Sequence, residues 1–169
     1  MITVDEQLVR ASPAVCFRVG ADVERWPEIL PHYRRVEFRR KDAFGTGIVE
    51  MAAWRDFGPL PYPTWWVSEM RVAADEPAVY YRHIEGVTRG MDVKWEFHSH
   101  AGGTRIRITH WWTGPAWPLI RRFAADYVIG PHFVSAIAQR TLAGVAARAA
   151  QIQQHDTSAM ATPAANSQT

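Results

Sequence analysis

The chain has 169 residues, 47% of them hydrophobic, and its 19 Lys and Arg against 17 Asp and Glu leave a formal charge of +2. That length holds one domain able to bury roughly 70% of its unfolded surface without a staple, the small charge excludes a nucleic-acid footprint, and the hydrophobic share excludes a mainly disordered chain. One cysteine, Cys16, forbids an internal disulfide, the charged opening MITVDEQLVR has no signal-peptide core, and no apolar stretch is long enough to span a bilayer, so a soluble, cytoplasmic protein is expected.

The first ten or so residues, Ile2 to Ala11, alternate as a strand. Ser12-Pro13 then supplies an N-cap and a first-turn proline, predicting a short helix with Val15, Cys16 and Val19 buried and Gly20 at its end. Asp22 is expected to cap a second short helix carrying Val23, Trp26 and Ile29, with Pro27 in its first turn and Pro31 stopping it. Period two follows, predicting strands over Arg34–Lys41, Ile48–Phe57, Thr64–Ala73, Val79–Glu85, Met91–His100 and Thr104–Thr113. Gly58–Pro63 carries three prolines and reads as an apolar loop, while Ala101-Gly102-Gly103 is a hairpin turn. From Pro118 to about Gln154 apolar residues recur at helical spacing, interrupted at Gly130-Pro131. Residues 155–169 are polar, lack periodicity and read as a disordered tail, leaving one domain over 1–154.

A strand, two short helices, a run of antiparallel strands and a long final helix make an α+β protein. The helix can cover the apolar face of a curved sheet. Eight Trp, seven Phe and five Tyr are more rings than such a core usually takes, so they fill a thick core or wall a cavity.

Several stretches carry a family resemblance: Ala11-Ser12-Pro13-Ala14-Val15, Asp22-Val23-Glu24-Arg25-Trp26-Pro27-Glu28, Trp66-Val67-Ser68-Glu69, Arg89-Gly90-Met91, Trp95-Glu96-Phe97, Gly103-Thr104-Arg105 and Gln139-Arg140-Thr141-Leu142. Together they resemble the START/Bet v-like (SRPBCC) superfamily, within it the polyketide cyclase/dehydrase and lipid-transport proteins, over residues 2 to about 154. The resemblance implies a helix-grip fold, a curved sheet wrapped around a long C-terminal helix with a deep cavity between them. It also implies a cavity Trp with a Tyr seven residues on, matched here by Trp26 and Tyr33. The aromatase/cyclase members place an anchoring Arg just after the Ser-Glu pair; this chain has Met70 there, with Arg71 one place on and, by alternation, on the other face.

Candidate catalytic groups follow from chemistry and alternation. Tyr33 either polarises a carbonyl or bonds a loop carbonyl. His110 shares a face with Ile106, Ile108 and Trp112, which points an imidazole inward as acid or base for aldol closure and dehydration, or as a satisfied core histidine. Arg82 and His83 alternate, so only one faces inward; an inward Arg82 would be a fork-shaped donor to an enolate or carboxylate. The expected ligand-binding set is Trp26, Trp66, Met70, Trp95, Phe97, Trp112, Phe123 and Tyr127. His98 and His100 point outward, no ligand spacing suggests a metal, and no motif suggests a cofactor.

The expected partner is a hydrophobic or aromatic small molecule: a polyketide, a quinone or a lipid. Gly58–Pro63 with Trp65 is a lid or a membrane-dipping loop. Arg34, Arg35, Arg39, Arg40 and Lys41 either meet an acyl carrier protein or an anionic surface, or form a solvated strand face. Three functions stay open: a polyketide aromatase/cyclase-like enzyme, a non-catalytic lipid or quinone carrier, and an interaction module with a filled core.

Overall fold

The computed structural model describes residues 1–57, 60–114 and 134–161, the side chains of 55–61, 160 and 161 excepted. Strand β1 (Ile2–Val9) leads into helix α1 (Pro13–Ala21), where the Ser12 hydroxyl accepts the Val15 N–H at 3.4 Å and Pro13 fills the first turn. Asp22 does not cap with its side chain; its backbone N–H instead closes α1 on the Arg18 carbonyl. A 3₁₀ turn (Val23–Arg25) and the single-turn helix α2 (Trp26–Ile29) follow, with Pro27 in the first turn of α2.

Six strands then form a meander: β2 (Tyr33–Lys41), β3 (Gly47–Phe57), β4 (Leu60–Ala73), β5 (Ala78–Gly86), β6 (Asp92–His100) and β7 (Gly103–Trp111). All pairs are antiparallel, in the order β1-β7-β6-β5-β4-β3-β2. Helix α3 (Ser135–Ala161) lays Ala138, Leu142, Val145 and Ala149, with Val134 just before it, into the same core as the inward residues of the sheet. This is the expected helix-grip arrangement, with the buried alternation Val93, Trp95, Phe97 and Ile106, Ile108, His110 on the inner face.

Two further expectations are corrected. Residues 60–63 are not a loop: Pro61 and Pro63 pair with Asp56 and Trp54 of β3. They lie two apart, so both nitrogens face one edge, and β5 joins β4 only from Trp66 onward. Proline is tolerated where the missing N–H meets an unpaired edge. Helix α3 also runs seven residues beyond Gln154, to Ala161. This last stretch is solvent-exposed through 159, so it carries no apolar period for sequence reading to find. Residues 115–133, with Phe123, Tyr127 and the Gly130-Pro131 break, lie outside the described residues, as do 58–59 and 162–169.

The outer face of the sheet is an ion-pair surface. Arg39 reaches Glu50 and Glu85, Arg35 reaches Glu37 and Glu50, Lys41 reaches Glu24, and Arg34 stacks over Trp54. Three of the five basic residues on β2 are thus matched by carboxylates. No helix is long and apolar enough to cross a membrane among the described residues.

Candidate ligand cavity

The inner face of the sheet is longer than the space beneath it. At one end α1 packs down, and Phe97 meets Phe17 edge-on with ring centroids 5.6 Å apart. Gly20 permits this approach, since a Cβ there would stand 2.6 Å from the Phe97 ring. Toward the other end the floor opens into a cavity of about 60 Å³ bounded by β2–β7, α2 and α3. That is room for about four water-sized spheres, so a multi-ring guest must displace side chains to enter.

Five rings from five elements form an arc along the wall. Trp95 of β6 lies 5.4 Å from Trp26 of α2, Trp26 meets Tyr33 of β2 edge-on at 5.2 Å, Tyr33 meets Trp66 of β4 at 6.1 Å, and Trp66 stacks on His83 of β5 at 6.0 Å. Trp26 is locked by its indole N–H, which donates to the Val19 carbonyl at 3.2 Å, satisfying the one polar atom of a buried indole. Across the floor, one cross-strand row reads Tyr81–Val93–His110–Thr3. Strand spacing puts Tyr81 and His110 about 10 Å apart, with Val93 between them.

The two imidazoles are oriented by threonines. His110, 8% exposed, has Nδ1 3.1 Å from Thr3 Oγ1, and His83 has Nδ1 2.6 Å from Thr88 Oγ1. His83 is fixed further by its backbone, which exchanges bonds with Met91 and Gly90 across the β5–β6 turn. Thr141 of α3 bonds His32 Nε2 at 3.1 Å and closes the cavity from above with Val134, Ile137 and Ala138. Tyr81 is 6% exposed, and burial, reinforced by neighbouring Tyr33, holds its hydroxyl well above the usual phenol value. No Lys, Arg, Asp or Glu lines the cavity among the described residues, and no three potential metal ligands converge among them.

Of the residues singled out in the sequence, Trp26, Tyr33, Trp66, Trp95 and His110 come together on the cavity wall. Arg82 does not. It lies on the outer face, its side chain 57% exposed and paired with Asp92 at 2.7 Å, and His83 takes the inward position. A register shift opposite Val67/Ser68 ends the strict alternation of β5 just past His83, as bulges do when they re-aim a side chain. Met70, Phe97 and Trp112 are buried but not on the cavity wall. Phe97 lies beneath α1, and Trp112 ties its indole N–H to the Arg89 carbonyl at 3.0 Å. Met70 is sealed at the far end of β4, opposite Gly47 and Tyr81.

The sequence reading missed Met51, Tyr81, Thr88, Met91 and Thr141. For Tyr81 the strand itself carried no deciding signal: Val79, Tyr81 and His83 share one parity and Ala78, Tyr80 and Arg82 the other, and each set opens on an apolar residue. Thr88 and Met91 sit in a turn, where period two carries no information.

Residues 9–126 match the family described as polyketide cyclase / dehydrase and lipid transport. The chain belongs to this family. Among curated proteins none matches it. Among solved structures, the Zhui aromatase/cyclase from Streptomyces sp. R1128 is similar at 18% identity and a TM-score of 0.74, covering 88% of this chain and 93% of that one. A START superfamily protein from Mycobacterium smegmatis shares 9% identity at a TM-score of 0.68, covering 89% and 98%. Major latex-like protein 151 from Panax ginseng shares 9% at 0.69, covering 88% and 96%. Identities this low speak for the fold alone.

Proposed function

We propose that the protein binds a polyketide-like, multi-carbonyl chain in this cavity and directs its ring closure and dehydration. The observation that carries the reading is the wall itself: an arc of aromatic rings with a tyrosine and two threonine-oriented imidazoles facing one uncharged space. Aromatic walls fold a flexible chain and exclude water, and holding a near-attack geometry supplies several kcal/mol of the barrier without a nucleophile. In the closure step His110 takes a proton from a methylene between two carbonyls. The carbanion forms one carbon–carbon bond to a third carbonyl carbon, and Tyr33 donates a hydrogen bond to the oxygen that gains the charge. The proton on His110 then returns to that oxygen, and removal of the attacking carbon's remaining proton as the hydroxyl leaves expels one water and forms a carbon–carbon double bond in the ring.

Tyr33→Phe and His110→Ala test this with a poly-β-ketone generated in situ, products being followed by liquid chromatography and mass spectrometry. The expected result is loss of cyclised product with guest uptake, read by tryptophan emission, retained. Unchanged product profiles in both variants overturn the reading.

A second reading, a carrier for a quinone or lipid, is favoured by the lack of any Lys, Arg, Asp or Glu on the described lining. Native mass spectrometry of the purified protein separates the two: a stoichiometric co-purified quinone or lipid supports the carrier.

A further inference from the structure

Two buried hydroxyls of the inner face, those of Ser68 and Tyr81, find no hydrogen-bond partner among the described residues. Buried polar groups are nearly always satisfied, so each exception asks for a reason. The two differ in one respect. Ser68 is sealed within the sheet and does not line the cavity, whereas Tyr81 forms part of the cavity wall. Tyr81 pairs with Met70 on one side and Val93 on the other, and neither side chain offers an acceptor better than a thioether.

We propose that the Tyr81 hydroxyl is the donor that selects an oxygen-bearing guest, a neutral ketone or quinone carbonyl, over hydrocarbons and carboxylates. The inference rests on the cavity being a ligand site, as proposed above, and names what the guest must carry. Desolvation keeps the phenol protonated, hence a donor. A carbonyl oxygen entering from the cavity supplies the acceptor that the Tyr81 hydroxyl lacks. A carboxylate also accepts, but it would be buried with no Lys or Arg among the described lining residues to offset its charge. A hydrocarbon fits the rings and leaves the hydroxyl unmatched. Tyr81 is thus a positioning residue for one carbonyl, about two strands from the His110 imidazole, which fixes which carbon of the guest lies next to that base.

The test uses the whole protein and a matched pair of two-ring probes, 1-tetralone and tetralin, which differ by one carbonyl. Their binding is read by emission from the cavity tryptophans. Wild type is expected to bind 1-tetralone more tightly than tetralin, by roughly five- to tenfold. Tyr81→Phe keeps the ring and is expected to erase that preference by weakening 1-tetralone alone. Ser68→Ala, which removes the other unmatched hydroxyl, leaves the preference intact. The melting temperature of Tyr81→Phe does not fall, because no internal bond is lost. Equal preference in wild type and Tyr81→Phe overturns the inference while leaving the cavity reading standing, and so does a melting temperature lowered by several degrees. If neither probe binds wild type saturably, the cavity reading fails and this inference with it.

Discussion

Gly86 closes β5 opposite Trp66 with a φ of +94°, and its replacement by alanine separates two kinds of backbone cost. A Cβ there would stand 2.6 Å from the Trp65 carbonyl oxygen and 2.9 Å from the Trp66 Cα. Both are backbone atoms of a paired strand and cannot retreat without opening the β4–β5 ladder. Gly90 has nearly the same φ, +85°, and a methyl carbon added there would meet nothing within 4 Å. Gly90→Ala therefore measures the left-handed conformation alone, about 1–2 kcal/mol. Gly86→Ala adds the collision, about 2–3 kcal/mol, for a total of about 3–5 kcal/mol. With a urea slope of about 2 kcal/mol per molar, the unfolding midpoint falls by about 1.5–2.5 M for Gly86→Ala and by about 0.5–1 M for Gly90→Ala. Urea titration followed by tryptophan emission reads both. Because the collision falls on Trp66, guest-induced emission changes weaken in the first variant and not in the second. Equal midpoint shifts would refute the claim that the β4 backbone, rather than φ, makes glycine necessary at this position.

Three further outcomes follow from particular contacts. Cys16 is fully buried, and burial pushes its thiol pKa up against a smaller opposing hydrogen bond from Thr104, so a thiol reagent at pH 8 should titrate none in the native protein and one in guanidinium; rapid native labelling would contradict this. Tyr81 stays protonated in the folded state above pH 10, its usual value, where an unfolded tyrosine ionises. The unfolded state then binds fewer protons, so stability falls as pH rises beyond 10, and Tyr81→Phe removes about 1.4 kcal/mol per pH unit of that decline; parallel wild-type and variant urea midpoints from pH 9 to 11 would count against it. Arg82→Ala breaks an exposed pair with Asp92 worth at most about 1 kcal/mol and leaves probe binding and product profile unchanged, whereas lost turnover would restore Arg82 as a candidate.

The architecture was readable because its signals are local and repeated. Period two over six strands, the Ser12-Pro13 helix start and the Ala101-Gly102-Gly103 turn each fixed an element. The inward face of β6 and β7 was readable for the same reason, and Trp95 and His110 are buried on it. What eluded reading depends on contacts distant in sequence. Phe97 has the right parity, yet α1 occupies the space beneath it. Arg82 was undecided because Tyr80-Arg82 and Tyr81-His83 both mix a ring with a titratable group, and only the pairing of β5 with its neighbours chooses between them. The pairing of residues 60–63 was hidden by their prolines, which forbid a central strand but not one with a free edge. The ring arc joins α2, β2, β4, β5 and β6, and no sequence window contains it.

The pairing of β1 with β7 has a consequence for biogenesis. Strands β2 to β7 can zip up as successive hairpins while the chain emerges, but Ile2 must find Trp111 and Val9 must find Thr104. At a synthesis rate of about 5–20 residues per second, the opening strand waits on the order of 5–20 s for its mate. Throughout that interval Ile2, Val4 and Leu8, which remain exposed even in the finished protein, sit on an unmatched ribbon close to the ribosome. That ribbon is the segment a nascent-chain chaperone would have most reason to hold, and slower translation would lengthen its exposure.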